Sequence, residues 1–136
     1  MGEAVAAIRC RDVTKVYSRS HLGRTTLSRG VEGLTLELPP GSALGLLGLN
    51  GSGKTTTFKL ALGLLTPTKG EVSVFGLPAG SRETHRLMGY LPELPYFYPY
   101  LSPAETLGLF GRLSGLPAAE LPERVRRALE QVGLGA

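Results

Sequence analysis

Hydrophobic and polar positions alternate most cleanly in GLTLELPPG, where Leu34, Leu36 and Leu38 take turns with Thr35 and Glu37. This predicts a half-buried strand that Pro39, Pro40 and Gly41 end. Upstream, residues 5–17 (VAAIRCRDVTKVY) have strand-like content with imperfect alternation, and the Ser/Arg/Gly-rich 18–30 reads as a long mobile loop, giving the order strand, loop, strand. SALGLLG, residues 42–48, is a short continuous apolar run of the kind a buried parallel strand carries. Over residues 53–65 the apolar positions Phe58, Leu60, Ala61, Leu62 and Leu65 predict a helix that follows this strand directly, with TPTKG closing it. EVSVFG is a further alternating strand with Val72 and Val74 on one face, and SRETHRLM, 81–88, predicts a short helix.

The chain then changes character. Residues 89–101 place Pro92, Pro95 and Pro99 among Tyr90, Tyr96, Phe97, Tyr98 and Tyr100. That spacing forbids a regular helix and predicts a structured surface loop. Ser102-Pro103-Ala104-Glu105 reads as a capping box with proline at the first helical position, ahead of a helix carrying Leu107, Phe110 and Leu113. Leu121, Val125, Ala128, Leu129 and Val132 recur at helical spacing, and Gly133 is placed to end that last helix. Residues 1–90 and 91–136 thus divide into a strand-rich part and a loop-helix part.

Composition narrows the class. At 136 residues the chain has room for one domain with a real core, and its 42% apolar and 19% charged residues are those of a globular chain. No apolar run approaches the 18 residues of a membrane helix, and Glu3 interrupts the N-terminus early. The single cysteine, Cys10, excludes an internal disulfide framework, no Cys/His cluster has metal spacing, and a cytosolic setting is the simplest fit. The net charge of +4 is concentrated in residues 9–29, where Arg9, Arg11, Lys15, Arg19, Arg24 and Arg29 face only Asp12. Such a strip is either a solvated face or an attractor of nucleic acid, anionic lipid or nucleotide phosphate.

Candidate chemistry lies between the apolar run and the helix. Gly48-Leu49-Asn50-Gly51-Ser52-Gly53-Lys54-Thr55 matches G-x-x-x-x-G-K-[ST]. In this motif Gly51 and Gly53 let backbone N–H groups wrap a polyphosphate, aided by the positive end of the helix. Lys54 reaches the β- and γ-phosphates, and the Thr55 hydroxyl is the Mg²⁺ ligand. Residues Gly48 to Thr55, with Thr56 beside them, are the expected nucleotide contacts.

VEGLTLELPPGSALGLLGLNGSGKTTTFKLALGLLTPTKGEVSVFG, followed by GYLPELPYFYPYLSPAETL, resembles the N-terminal half of an ATP-binding cassette (ABC) nucleotide-binding domain, over nearly the whole chain. The resemblance implies an α/β P-loop NTPase core, incomplete, with N-terminal antiparallel strands and the start of the helical subdomain. It implies ATP and Mg²⁺ as cofactors and Tyr17, in TKVYS, as the aromatic residue that stacks on adenine; taken alone, Tyr17 is a strand aromatic. The family's glutamine after the GYLP strand is Glu93 here, similar to a branch of exporters that carry GYLPE. Glu93 is then expected as a catalytic and Mg²⁺-binding residue. Implied partners are a transmembrane permease, facing the region after Glu93, and a second cassette sandwiching ATP. The location would be cytoplasmic, peripheral on the inner face of the cell membrane through the permease. The Tyr96–Tyr100 cluster fits that interface or packing on the following helix; base stacking is disfavoured because residues 87–111 hold no Lys or Arg.

Hydrolysis needs more. Phosphate-loop ATPases hold Mg²⁺ with an aspartate after a second apolar strand, yet the one aspartate here, Asp12, lies upstream of the loop in RCRDV. The same count excludes a G protein, and no convincing acceptor set points to a nucleoside kinase. LSGL at 113–116 lacks the second glycine and the glutamine of an ABC signature and reads as a helix end capped by Gly115; neither His21 nor His85 sits where the family's switch histidine does. The expectation is therefore an ATP-binding part of a transporter energy subunit that does not hydrolyse ATP alone, its phosphate-loop strand left with an open apolar edge. The competing reading is a non-transport nucleotide-binding module acting on nucleic acid through residues 9–29.

Overall fold

The computed structural model describes residues 5–135, so Glu3 and Ala136 lie outside the described residues. The chain forms two compact units, one running to Tyr90 and one starting at Leu91.

The first unit is built on an antiparallel sheet of order β2-β1-β3-β4, with β1 Ile8–His21, β2 Arg24–Leu38, β3 Lys69–Val74 and β4 Leu77–Pro78. Ile8 pairs with Leu38 and Val74, and Cys10 with Leu36 and Val72. Directly paired residues share a face, so these rows make one apolar surface. Cys10, Val13, Val72 and Leu60 form the buried core, with Leu34, Leu36, Leu65 and Ala79 packed around it. Leu60 comes from α1, Lys54–Ala61. Burying such a leucine is worth about 2 kcal/mol, enough to seat the helix that carries the phosphate loop.

Four expectations are corrected here. Residues 18–30 are the far end of a long β-hairpin, paired Ser18 to Leu27 through His21 to Arg24. Leu22 and Gly23 make its two-residue turn with φ of 48° and 75°, the left-handed pair that matches strand twist. Beyond the sheet this ribbon has no buried face, which is why its sequence shows no alternation. Residues 42–48, read as a parallel strand, form neither helix nor strand among the described residues. A parallel strand needs a parallel neighbour, and the sheet here is entirely antiparallel. Residues 89–92, read as the GYLP strand, are likewise unpaired. The first helix also stops at Ala61, short of Leu65: the Gly63 and Leu64 N–H groups bond back to Leu60 and Lys59, closing a Schellman turn.

The second unit contains α3, Pro103–Leu113, and α4, Leu121–Gln131; α2, Arg82–His85, belongs to the first unit with Ser81 as its N-cap. The capping box of α3 is complete: the Ser102 side chain accepts from the Glu105 N–H, and Glu105 accepts from the Ser102 N–H at 2.8 Å. Gly115 and Gly133 close α3 and α4 by bonds from Leu116 to Gly111 and from Leu134 to Leu129, so LSGL is a helix end. Among the described residues no helix is long and apolar enough to cross a membrane.

Candidate functional site

The phosphate-loop residues run from Gly48 into the first turn of α1. Gly51 and Gly53 hold φ of 86° and 94°, a left-handed backbone that any other residue type would strain. Gly53 is the N-cap and has no side chain to satisfy the helix start. The N–H groups of Lys54, Thr55 and Thr56 therefore face the loop without intrahelical acceptors, a ready site for an anion.

Lys54 turns its ammonium back into this loop, donating to the Gly48 carbonyl at 2.7 Å and the Leu49 carbonyl at 2.8 Å. Thr55 is exposed in the first turn. Thr56 is different: it is 9% exposed, and its Oγ1 lies 3.1 Å from the Tyr17 hydroxyl. Thr57 donates its hydroxyl to the Gly53 carbonyl and steadies the turn. Leu49, Asn50 and Ser52 are exposed at the rim, where Ser52 closes a turn by donating its N–H to the Leu49 carbonyl.

Tyr17 reaches this region from β1. The Lys15 ammonium lies over its ring, 5.7 Å from the centroid, and is itself tethered to the Thr66 carbonyl at 2.7 Å. The structure thus brings Tyr17 together with Thr56 and the start of α1. Glu93 belongs to the second unit, exposed in the loop after Pro92. Among the described residues no group of three His, Cys, Asp or Glu side chains converges as a metal cage. The donor set at the loop is instead a hydroxyl, a lysine and free backbone N–H groups, which fits a metal arriving already bound to a polyphosphate.

The basic strip is largely engaged within the protein. Arg9 makes a two-pronged pair with Glu37, Arg11 pairs with Glu71 and Arg29 with Glu32, while Lys15 is spent on Thr66 and Tyr17. Arg9 beside Glu37 holds that carboxyl below its ordinary range. Sequence reasoning missed two members of the site, Lys15 as the cover of Tyr17 and Gly30 as its neighbour. Lys15 sits two residues before Tyr17 on the same face of β1, a local signal that could have found it, whereas Gly30 comes there only through the pairing of β1 with β2.

The ABC transporter family model matches residues 31–136. ATP-binding cassette sub-family A member 7 of Rattus norvegicus is 39% identical over 91% of the chain and 6% of its own length. Nod factor export ATP-binding protein I of Cupriavidus metallidurans is 39% identical over 92% of the chain and 39% of its own length. A solved ATP-binding subunit of an ABC transporter superposes with a TM-score of 0.68 at 30% identity, covering 94% of this chain and 51% of that one. The dimeric bacterial cassette MJ0796 gives 0.74 at 25% identity, over 90% and 54%. The chain therefore spans about half of the solved cassettes it matches and less of the curated relatives. With a phosphate loop opening α1 and an antiparallel sheet beside it, in an incomplete P-loop fold, the chain belongs to the ABC transporter ATP-binding family.

Proposed function

We propose that this chain is the ATP-binding part of an ABC transporter energy subunit, of the exporting kind, and that it binds Mg-ATP without hydrolysing it alone. The observation that carries the reading is the Lys54 ammonium held inside the loop by the Gly48 and Leu49 carbonyls, at the open N-terminus of α1. A polyphosphate is a stronger acceptor than either carbonyl, and it draws the ammonium across to itself. The N–H groups of Gly51 to Thr56 bind its oxygens, and the Thr55 hydroxyl turns to the metal. A Mg²⁺ ion arriving with ATP would be held by the Thr55 hydroxyl and would supply neutralisation of the phosphate charge. Tyr17 offers its ring to the base.

Glu93 takes the position where the family carries glutamine, able to hold the metal directly or through water. The single aspartate of the chain, Asp12, sits in a bulge of β1 and serves the backbone, which supports a reading without hydrolysis. Export is supported by the GYLPE sequence and by the Nod factor export relative. Partners in this reading are a second cassette and a transmembrane permease, with the chain on the cytoplasmic face of the membrane. The exposed Tyr96, Phe97, Tyr98 and Tyr100 supply aromatic surface for the permease.

Calorimetric titration of the chain with Mg-ATP, beside Lys54→Ala, tests the proposal. Saturable binding by the parent, weakened at least about tenfold by the substitution, is the expected result. Equal binding by both chains would refute the role of the loop.

A further inference from the structure

Gly30 of β2 has an ordinary backbone conformation, so no left-handed φ demands glycine there. What excludes a side chain is contact. A Cβ at Gly30 would stand 2.7 Å from Cε2 of Tyr17, 2.9 Å from Cγ2 of Thr56 and 3.1 Å from its Oγ1. On the other side, a Cβ on Gly53 would run into the Gly30 carbonyl and stand 2.9 Å from Cγ2 of Val31. Two glycines on different elements therefore let β2 lie directly against the opening of α1. In the space this leaves, the Tyr17 ring settles onto Thr56, fixed by the 3.1 Å hydrogen bond between their hydroxyls. The Lys15 ammonium lies over the same ring, 5.7 Å from its centroid.

We propose that Gly30 is a positioning residue for the nucleotide base: its missing side chain locks Tyr17 to Thr56, so the base platform and the phosphate-binding helix are held in one fixed geometry. The inference rests on the nucleotide reading above and adds which residue sets the spacing between base and phosphates. A ring already held by Thr56, Lys15 and Gly30 loses little freedom when a base stacks on it, which is where its affinity comes from. Gly30 touches no ligand and acts through Tyr17.

The test titrates the full chain with two probes, Mg-ATP and Mg-tripolyphosphate, the second having phosphates but no base. Gly30→Ala is expected to weaken Mg-ATP binding by about five- to a hundredfold, the span that stacking of one base on an aromatic ring carries, with tripolyphosphate binding unchanged within about twofold. In a Tyr17→Ala background the same substitution should have no further effect, because the residue it positions is gone. Tyr17→Phe, which keeps the ring and removes the hydroxyl bond to Thr56, should also weaken Mg-ATP selectively, and it serves if Gly30→Ala fails to fold. Equal losses for both probes, an unchanged Mg-ATP affinity, or additive losses in the double variant would overturn the inference while leaving the phosphate loop intact. Lys54→Ala separates the two ideas, since it should weaken both probes. A parent that binds neither probe overturns the nucleotide reading and this inference with it.

Discussion

At the scale of single residues, the sole aspartate shows how a sequence can be read correctly for what it lacks and incompletely for what it holds. Asp12 was legible as misplaced for metal chemistry, but its task was not. It occupies φ 46° where β1 bulges between Cys10 and Val13, and its N–H donates to the Thr35 hydroxyl at 3.2 Å. Aspartate tolerates the left-handed region better than most residues, and β-branched ones tolerate it least. Asp12→Gly should stay within about 1 kcal/mol of the parent in a denaturant melt, whereas Asp12→Val should lose about 1–2 kcal/mol. Mg-ATP affinity should be unchanged in Asp12→Gly; a loss there would mean that Asp12 serves the ligand. The glycine-rich turn at the start of α1 was legible because its motif is local, although the strand expected to lead into it was not found. Gly30 was not legible, because its meaning depends on a cross-strand register that no short window contains, while Lys15, two residues from Tyr17 on β1, lay within reach of the strand period.

At the scale of elements, signals that are local and chemical were readable. Val72 and Val74 on one face of β3, the Ser102 capping box and the terminal Gly133 all stand where the pattern puts them, while the helix expected over 81–88 shrinks to Arg82–His85 behind a Ser81 cap. Elements that depend on partners were misread: the hairpin beyond the sheet edge buries nothing, and residues 42–48 have the composition of a strand without a neighbour to make them one. The capping box also yields a prediction. Ser102→Ala should cost α3 about 1 kcal/mol, read as lost helicity in circular dichroism. The Ser102 N–H and hydroxyl hold the Glu105 carboxyl below its ordinary range. A depressed folded value means the stabilisation is present above the unfolded pKa of about 4.3 and is lost as pH falls through the folded value. Helicity of α3 should therefore decline on acidification below about pH 4, and Glu105→Gln should flatten that decline. An identical acid profile for the two chains would remove the box from the account.

At the scale of the whole molecule, the exposed leucines of the phosphate-loop segment matter most. Leu47 is 96% and Leu49 85% exposed, with Leu44 half-exposed beside them. A run of this kind with open backbone groups seeks a partner. The chain is expected to self-associate in sedimentation experiments at micromolar concentration, and Leu47→Lys should shift it toward monomer; a monodisperse parent would contradict this. The hydrogen bond between Tyr17 and Thr56 has a further meaning at this scale. It joins groups 39 residues apart in sequence. A ligand resting on both ends of that span is a removable cross-link: it closes the same stretch of chain that a disulfide would, and releases it on departure. Occupancy would thereby add to the cohesion of the hairpin with the helix, beyond what the buried Leu60 and the pair of hydroxyls supply.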